Sequence, residues 1–237
     1  MNKFAVISHE VPQICDALKS LGYKLICTDS VDGFISYEKN HADMQIINID
    51  GKIFVLSACE TLCNSLKNSG INFDITTSDF SGKYPNNILL NAKKIGTNII
   101  GKIEHLDNGL QDFCSQKGYN LINVNQGYTA CSCVNIADKA VITTDPSIYK
   151  VLCDSGIDVL KISQKGIRLH GAGEKAEGFI GGASVTLDDK SVLFFGDITK
   201  HLDYTKIFDF CTKYDVGIKY IENLELTDIG GVILLNI

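Results

Sequence analysis

The 237-residue sequence predicts an α/β fold: a five-bladed propeller of ββαβ units, one domain spanning residues 1–237, closed by pairing of its amino- and carboxyl-terminal strands. Three observations carry this. One phrase recurs along the chain with a period of about 45 residues, as stacked or ring-like units require. Each copy holds two apolar runs joined by a tight polar turn, then a helix-like segment, a glycine and a third apolar run. The fifth copy is divided between the ends: GGVILLNI from Gly230 has no second half, and MNKFAVIS begins where LLNI stops.

The elements follow in order. AVISHEVPQICDALKSLGYKLICTD from Ala5 supplies the second half of the divided unit. The first strands of the next four units are MQIINIDGK from Met44, ILLNAKKIG from Ile88, CSCVNIADK from Cys131 and ASVTLDDK from Ala183. In the unit from Tyr128 to Ser163, residues 128–136 read as a strand, Ala137-Asp138-Lys139 as a turn and 140–144 as the return strand. A turn this short makes an antiparallel hairpin. Asp145 caps the helix that follows and Pro146 fits its first position. Ile148, Val151 and Leu152 form its apolar stripe, Gly156 ends it, and 157–162 form the third strand. A doubly wound sheet would lack the hairpin and would carry a glycine-rich phosphate loop, absent from FAVISHEVPQ.

Composition narrows the function. Hydrophobic residues make up 45% of the chain, enough for a sizeable core, and the net charge is −6 with Arg168 the only arginine. That balance argues against nucleic acid as a partner. No apolar run reaches bilayer length, and Glu10, Pro12 and Asp16 interrupt any signal-like stretch, so the expectation is a cytoplasmic protein without a membrane partner. The nine cysteines read as free thiols. Cys15, Cys63, Cys114 and Cys153 precede Gly22, Gly70, Gly118 and Gly156 by seven, seven, four and three residues, offsets that share a helical face; Cys211, six before Gly217, lies slightly off it. They read as small buried residues beneath each helix. No Cys-x-x-Cys pair occurs, so no metal and no cofactor is expected.

Five ββαβ units in a closed ring resemble the pentein, or guanidino-group-modifying enzyme, fold. The phrases QGYTACS (Gln126 to Ser132), EGFIGG (Glu177 to Gly182) and TDIGG (Thr227 to Gly231) are similar to an uncharacterised bacterial family assigned to that fold. The superfamily includes deiminases, dimethylarginine hydrolases, amidinotransferases and non-enzymatic ribosome anti-association factors. In its enzymes the resemblance implies a cysteine thiolate attacking an amidine carbon, a histidine as acid/base and two carboxylates gripping the guanidinium. That nucleophile belongs on the first strand of the final unit, after Gly-Gly. Here the strand reads Asp228-Ile-Gly-Gly-Val-Ile-Leu-Leu235 and holds no cysteine, serine or threonine.

The remaining candidates are expected where the first strands begin, at one mouth of the axial channel. His41 and Asp43, two apart on a strand, share a face and form either a functional lining or a hydrogen-bonded seal. Cys131 is an alternative nucleophile with His41 as base, or a packed thiol; Cys133 shares its face. Asn87 and Tyr128 occupy equivalent positions and join the ligand-binding set. The glycine-rich connection from Gln164 to Gly178 reads as a lid whose Arg168 anchors a carboxylate or phosphate, or as a solvated loop. Asp228 can hold a cation at the mouth or end a turn. Gly181, Gly182, Gly230 and Gly231 signal close backbone approach or room for a ligand.

The sequence thus leads to a protein that lacks the usual cysteine-dependent chemistry and binds a small guanidino- or amino-acid-like ligand in its channel. The alternatives are a non-catalytic module that takes a protein partner on the propeller face, and a hydrolase with its nucleophile relocated to Cys131.

Overall fold

The structure is a computed structural model describing residues 2–236. It is a mixed α/β fold of small sheets with seven α-helices among the described residues. The first strand, β1 (Lys3–Ile7), leads through α1 (Pro12–Ser20) to β2 (Lys24–Cys27). Next come a short α2 (Ala42–Gln45), the hairpin β3 (Ile46–Ile49) and β4 (Lys52–Val55), α3 (Glu60–Asn68) and β5 (Asp74–Ile75). The pattern returns as β6 (Lys93–Ile95), β7 (Asn98–Gly101), α4 (Asn108–Gln116) and β8 (Asn120–Asn123). It returns again as α5 (Thr129–Ser132), β9 (Cys133–Ala137), β10 (Ala140–Thr143), α6 (Pro146–Asp154) and β11 (Asp158–Lys161). After a two-residue β12 (Arg168–Leu169) come β13 (Ser184–Leu187), β14 (Ser191–Phe194), α7 (Tyr204–Lys213) and β15 (Gly217–Tyr220). The chain ends with β16 (Thr227–Asp228) and β17 (Ile233–Asn236).

Five three-stranded sheets share one ladder: β17-β1-β2, β3-β4-β5, β6-β7-β8, β9-β10-β11 and β13-β14-β15. In each, the first pair is antiparallel and the second parallel. The terminal strands pair as expected, Lys3 opposite Asn236 and Val6 opposite Ile233. Each sheet is open and none closes on itself. The hairpin turns follow their sequences: Asp50 and Gly51 both take positive φ, 51° and 87°, the mirror-image turn that matches strand twist.

Side chains tie neighbouring sheets through their first strands. Asn48 of β3 donates to the Leu234 carbonyl of β17 at 2.9 Å, and Asn135 of β9 donates to the Lys94 carbonyl of β6 at 2.6 Å. Thr186 of β13 donates to the Asn135 carbonyl at 2.6 Å. Asn236 reaches Asp188 beside β13 at 3.0 Å, and Lys94 pairs with Asp50 at 2.9 Å. Helix α6 is capped as its sequence requires, Asp145 accepting from the Ser147 and Ile148 amides, and Gly156 takes φ +75°.

The cysteine pattern needs two corrections. Cys15, Cys63, Cys114 and Cys211 are buried, but Cys153 is exposed. The offset of three rotates Cys153 off the face that Leu152, four before the glycine, occupies. After α7 the left-handed residue is Asp215, φ 57°, and Gly217 already belongs to β15. Counted from Asp215, Cys211 sits four residues back, like Cys114 before Gly118, and is equally buried.

Candidate functional site

The segments entering the first strands are not strands. Ala42–Gln45 and Thr129–Ser132 form single helical turns, so His41 and Asp43 do not share a strand face, nor do Cys131 and Cys133. Gly181, Gly182, Gly230 and Gly231 lie in turns between strands. Tertiary hydrogen bonds fix these turns: the Asp43 amide donates to the Gly230 carbonyl at 3.0 Å, and the Gly182 amide to the Cys131 carbonyl at 2.9 Å. Glycine is required where the turns meet. A Cβ on Gly182 would stand 1.9 Å from Asp228 Oδ1, and one on Gly230 2.2 Å from the His41 ring.

These turns bring Asp43 and Cys131 together. Both are buried, and the Cys131 thiol donates to Asp43 Oδ2 at 2.8 Å. Burial drives both groups toward their neutral forms, Asp43 well above the usual carboxylate range and Cys131 well above the usual thiol range; the Asp43 charge pushes Cys131 further. Asn91, which the sequence reading passed over, is the hub: its amide oxygen accepts from the Ala130 amide at 2.7 Å, and its amide nitrogen lies 3.3 Å from the Asp43 carbonyl and 3.4 Å from the Cys131 sulfur. Asp43 Oδ1 has no hydrogen-bond partner.

The other expected residues stand apart from this pair. His41 packs its ring on Gly230, and its buried Nε2 has no partner; burial, then repulsion from His170, brings its pKa down to about 4. Asp228 is consumed by the backbone, accepting from the Gly230 and Phe179 amides at 2.8 Å each, and burial raises its pKa to about 6 despite those bonds. Asn87 donates to the Tyr128 hydroxyl at 3.1 Å and to Glu38 at 3.4 Å, a small buried network of its own. Arg168 is half exposed on β12 and pairs with Glu225 at 3.6 Å, so its guanidinium is already engaged. The Gln164–Gly178 segment is pinned: β12 pairs with β16, and the His170 amide donates to the Asp228 carbonyl at 3.0 Å.

The open space lies between the five sheets. A cavity of about 950 Å³ is lined by first-strand residues of every sheet, among them Asn48, Lys93, Asn135, Thr186 and Leu234. Asp43, Ala130, Gly181 and Gly231 form its floor; Gly96, Asp138, Lys139, Asp188 and Lys190, on the hairpin turns, form its rim. Lys93 was also missed. The signal for it and for Asn91 was present: three polar residues, Asn91, Lys93 and Lys94, interrupt the apolar run ILLNAKKIG. Among the described residues no group of three or more His, Cys, Asp or Glu side chains is arranged to hold a metal ion. No helix of the described residues is long and apolar enough to cross a membrane.

The model of the family of unknown function DUF6873 matches residues 6–233. Among curated proteins, none matches the sequence. Similar solved structures include the DDAH of Pseudomonas aeruginosa in complex with citrulline, at 8% identity and TM-score 0.59, covering 100% of both chains. The agmatine deiminase of C. jejuni with bound substrate is 12% identical at TM-score 0.54, covering 93% of this chain and 87% of that one. The inosamine-phosphate amidinotransferase of Streptomyces griseus is 12% identical at TM-score 0.55, covering 92% of this chain and 75% of that one. These likenesses show the fold alone, the pentein fold.

Proposed function

Because this chain belongs to DUF6873 and has the pentein fold, we propose that it is a single-domain, five-bladed protein that binds a small guanidino- or amino-acid-like ligand in its central cavity, without the usual cysteine chemistry. The blade arrangement is supported by the repeated three-stranded ladder and by the side-chain bonds that link each sheet to the next.

One observation carries the ligand reading: a roomy cavity lined by Asp43, whose buried carboxylate oxygen Oδ1 has no partner. Buried polar atoms are nearly always satisfied, so such an oxygen invites a donor. A guanidinium or ammonium group supplies one with charge assistance. The similar structures are of proteins named for such chemistry: a citrulline complex, an agmatine deiminase and an amidinotransferase. Relocated catalysis by Cys131 is disfavoured. The thiol is buried, donates to a carboxylate and is pushed away from thiolate formation by it.

Calorimetric titration of the full chain with agmatine, L-arginine and citrulline tests this. Agmatine and arginine, the cationic ligands, are expected to bind more tightly than neutral citrulline. Asp43→Asn should weaken the cations by about tenfold or more, the worth of a charge-assisted bond. Cation binding needs the ionised carboxylate, and burial holds the Asp43 pKa up, so affinity rises with pH. Absence of binding by all three ligands, or binding indifferent to Asp43→Asn, overturns the reading.

A further inference from the structure

The second charged group inside the cavity is Lys93, and neither the fold family's chemistry nor the ligand reading above gives it a task. It is half-buried on β6 and lines the cavity. Its neighbour Lys94, which also lines the cavity, pairs with Asp50 at 2.9 Å. Lys93 has no ion pair within 4.0 Å and no hydrogen bond from its amine among the described residues; Cys133, Asp43 and Cys131 act on it only through space. An ammonium partly withdrawn from water without a partner is costly, and such a lysine gives up its proton more readily. Burial moves its pKa down, while the nearby groups pull it back only in part. At the floor of the same cavity, burial raises the Asp43 pKa.

An amine whose pKa is lowered and a carboxyl whose pKa is raised, lining one cavity, are the equipment for condensation with a carbonyl group. We propose that Lys93 captures a small aldehyde or 2-oxo acid entering from the hairpin face, forming a reversible imine. The Nζ lone pair attacks the carbonyl carbon, and the nitrogen's proton passes to the oxygen, giving a carbinolamine. The Asp43 carboxyl protonates the departing hydroxyl, which leaves as water. The nitrogen's remaining proton returns to Asp43, leaving the C=N bond. Addition of water reverses every step, so no oxidant or reductant is consumed. Asp43 serves here as an acid, whereas cation binding needs it ionised. The two readings therefore respond oppositely to pH and can fail separately.

The test is borohydride trapping on the full chain at pH 7, with pyruvate in one arm and propanal in the other, followed by peptide mass mapping. Lys93 should be modified at least about tenfold faster than rim and surface lysines such as Lys139, because burial lowers its pKa toward the neutral amine that attacks. Preference for pyruvate assigns the 2-oxo acid class, and preference for propanal the aldehyde class. Asp43→Asn should slow trapping at Lys93 and flatten its pH profile while the surface lysines react as before. Labelling spread evenly over the lysines, or sparing Lys93, overturns the proposal. The wild-type mapping decides this without any variant, so a misfolded mutant cannot obscure the result.

Discussion

Asp43, on the floor of the cavity, and Asp228, Asn91 and Cys131, which do not line it, are buried and hold backbone amides or one another; at the rim, Asp138, Lys139 and Lys190 stand exposed on hairpin turns. The two ends use the same residue types for different purposes. At the floor, polar groups set the backbone, and four glycines let turns from different units touch. At the rim they stand in solvent, Lys190 pairing with the exposed Asp215 at 4.0 Å. A polar residue in this fold is therefore informative when it is withdrawn from water and incompletely satisfied, as buried Asp43 and half-buried Lys93 are, and not merely because it lines the cavity.

The sharpest way to break the contrast is Gly182→Ala. Its Cβ would fall 1.9 Å from Asp228 Oδ1, so the floor must open. A loss of about 3–5 kcal/mol is expected in urea unfolding, in the range of severe core changes. A loss below about 1 kcal/mol would mean the floor is as plastic as the rim.

Acid unfolding sharpens it next. The folded pKa of Asp228 is raised to about 6, so the folded state binds more protons than the unfolded one between about pH 4 and 6, and this group's contribution to stability falls as pH rises. His41 is lowered to about 4, so between about pH 4 and 6.5 the unfolded state binds more protons and stability rises with pH. Each effect integrates to about 3 kcal/mol and the two nearly cancel. Asp228→Asn should expose the His41 slope, visible as stability that climbs from pH 4 to 6.5. An unchanged, flat profile in that variant would show that these groups are not buried as described.

Thiol reactivity comes third. Buried Cys131 should react with a haloacetamidine or iodoacetamide about a hundredfold more slowly than exposed Cys27 and Cys153 in the native protein. Reaction faster than those two would revive Cys131 as a nucleophile. The smallest effect belongs to the rim: Lys139→Ala should change stability by less than about 0.5 kcal/mol.

Much of the framework was legible in the chain. LLNI and NKFAVIS announced their pairing through apolar continuity, Asp50-Gly51 specified its hairpin, and Asp145-Pro146 specified the start of α6. The helical turns at Ala42–Gln45 and Thr129–Ser132 were not legible. Their buried residues run on into the strands without a break, and what bends them is a set of long-range backbone bonds to Gly182 and Gly230. The site was read in part for the same reason. Asp43 and Cys131 were singled out, but their contact depends on those turns, which also leave His41 against Gly230. Asn91 and Lys93 were visible as polar breaks in an apolar run and were read only as part of a first strand. Arg168 drew attention by rarity, which says nothing about where a side chain points; Glu225 holds it at the surface.

The antiparallel ladder of Lys3–Ile7 with Ile233–Asn236 also bears on folding speed. Each strand must wait for a partner far away along the chain before that ladder can form. A contact of such long sequence separation is slow to form. Refolding from denaturant should therefore be slower than that of a helical bundle of equal length.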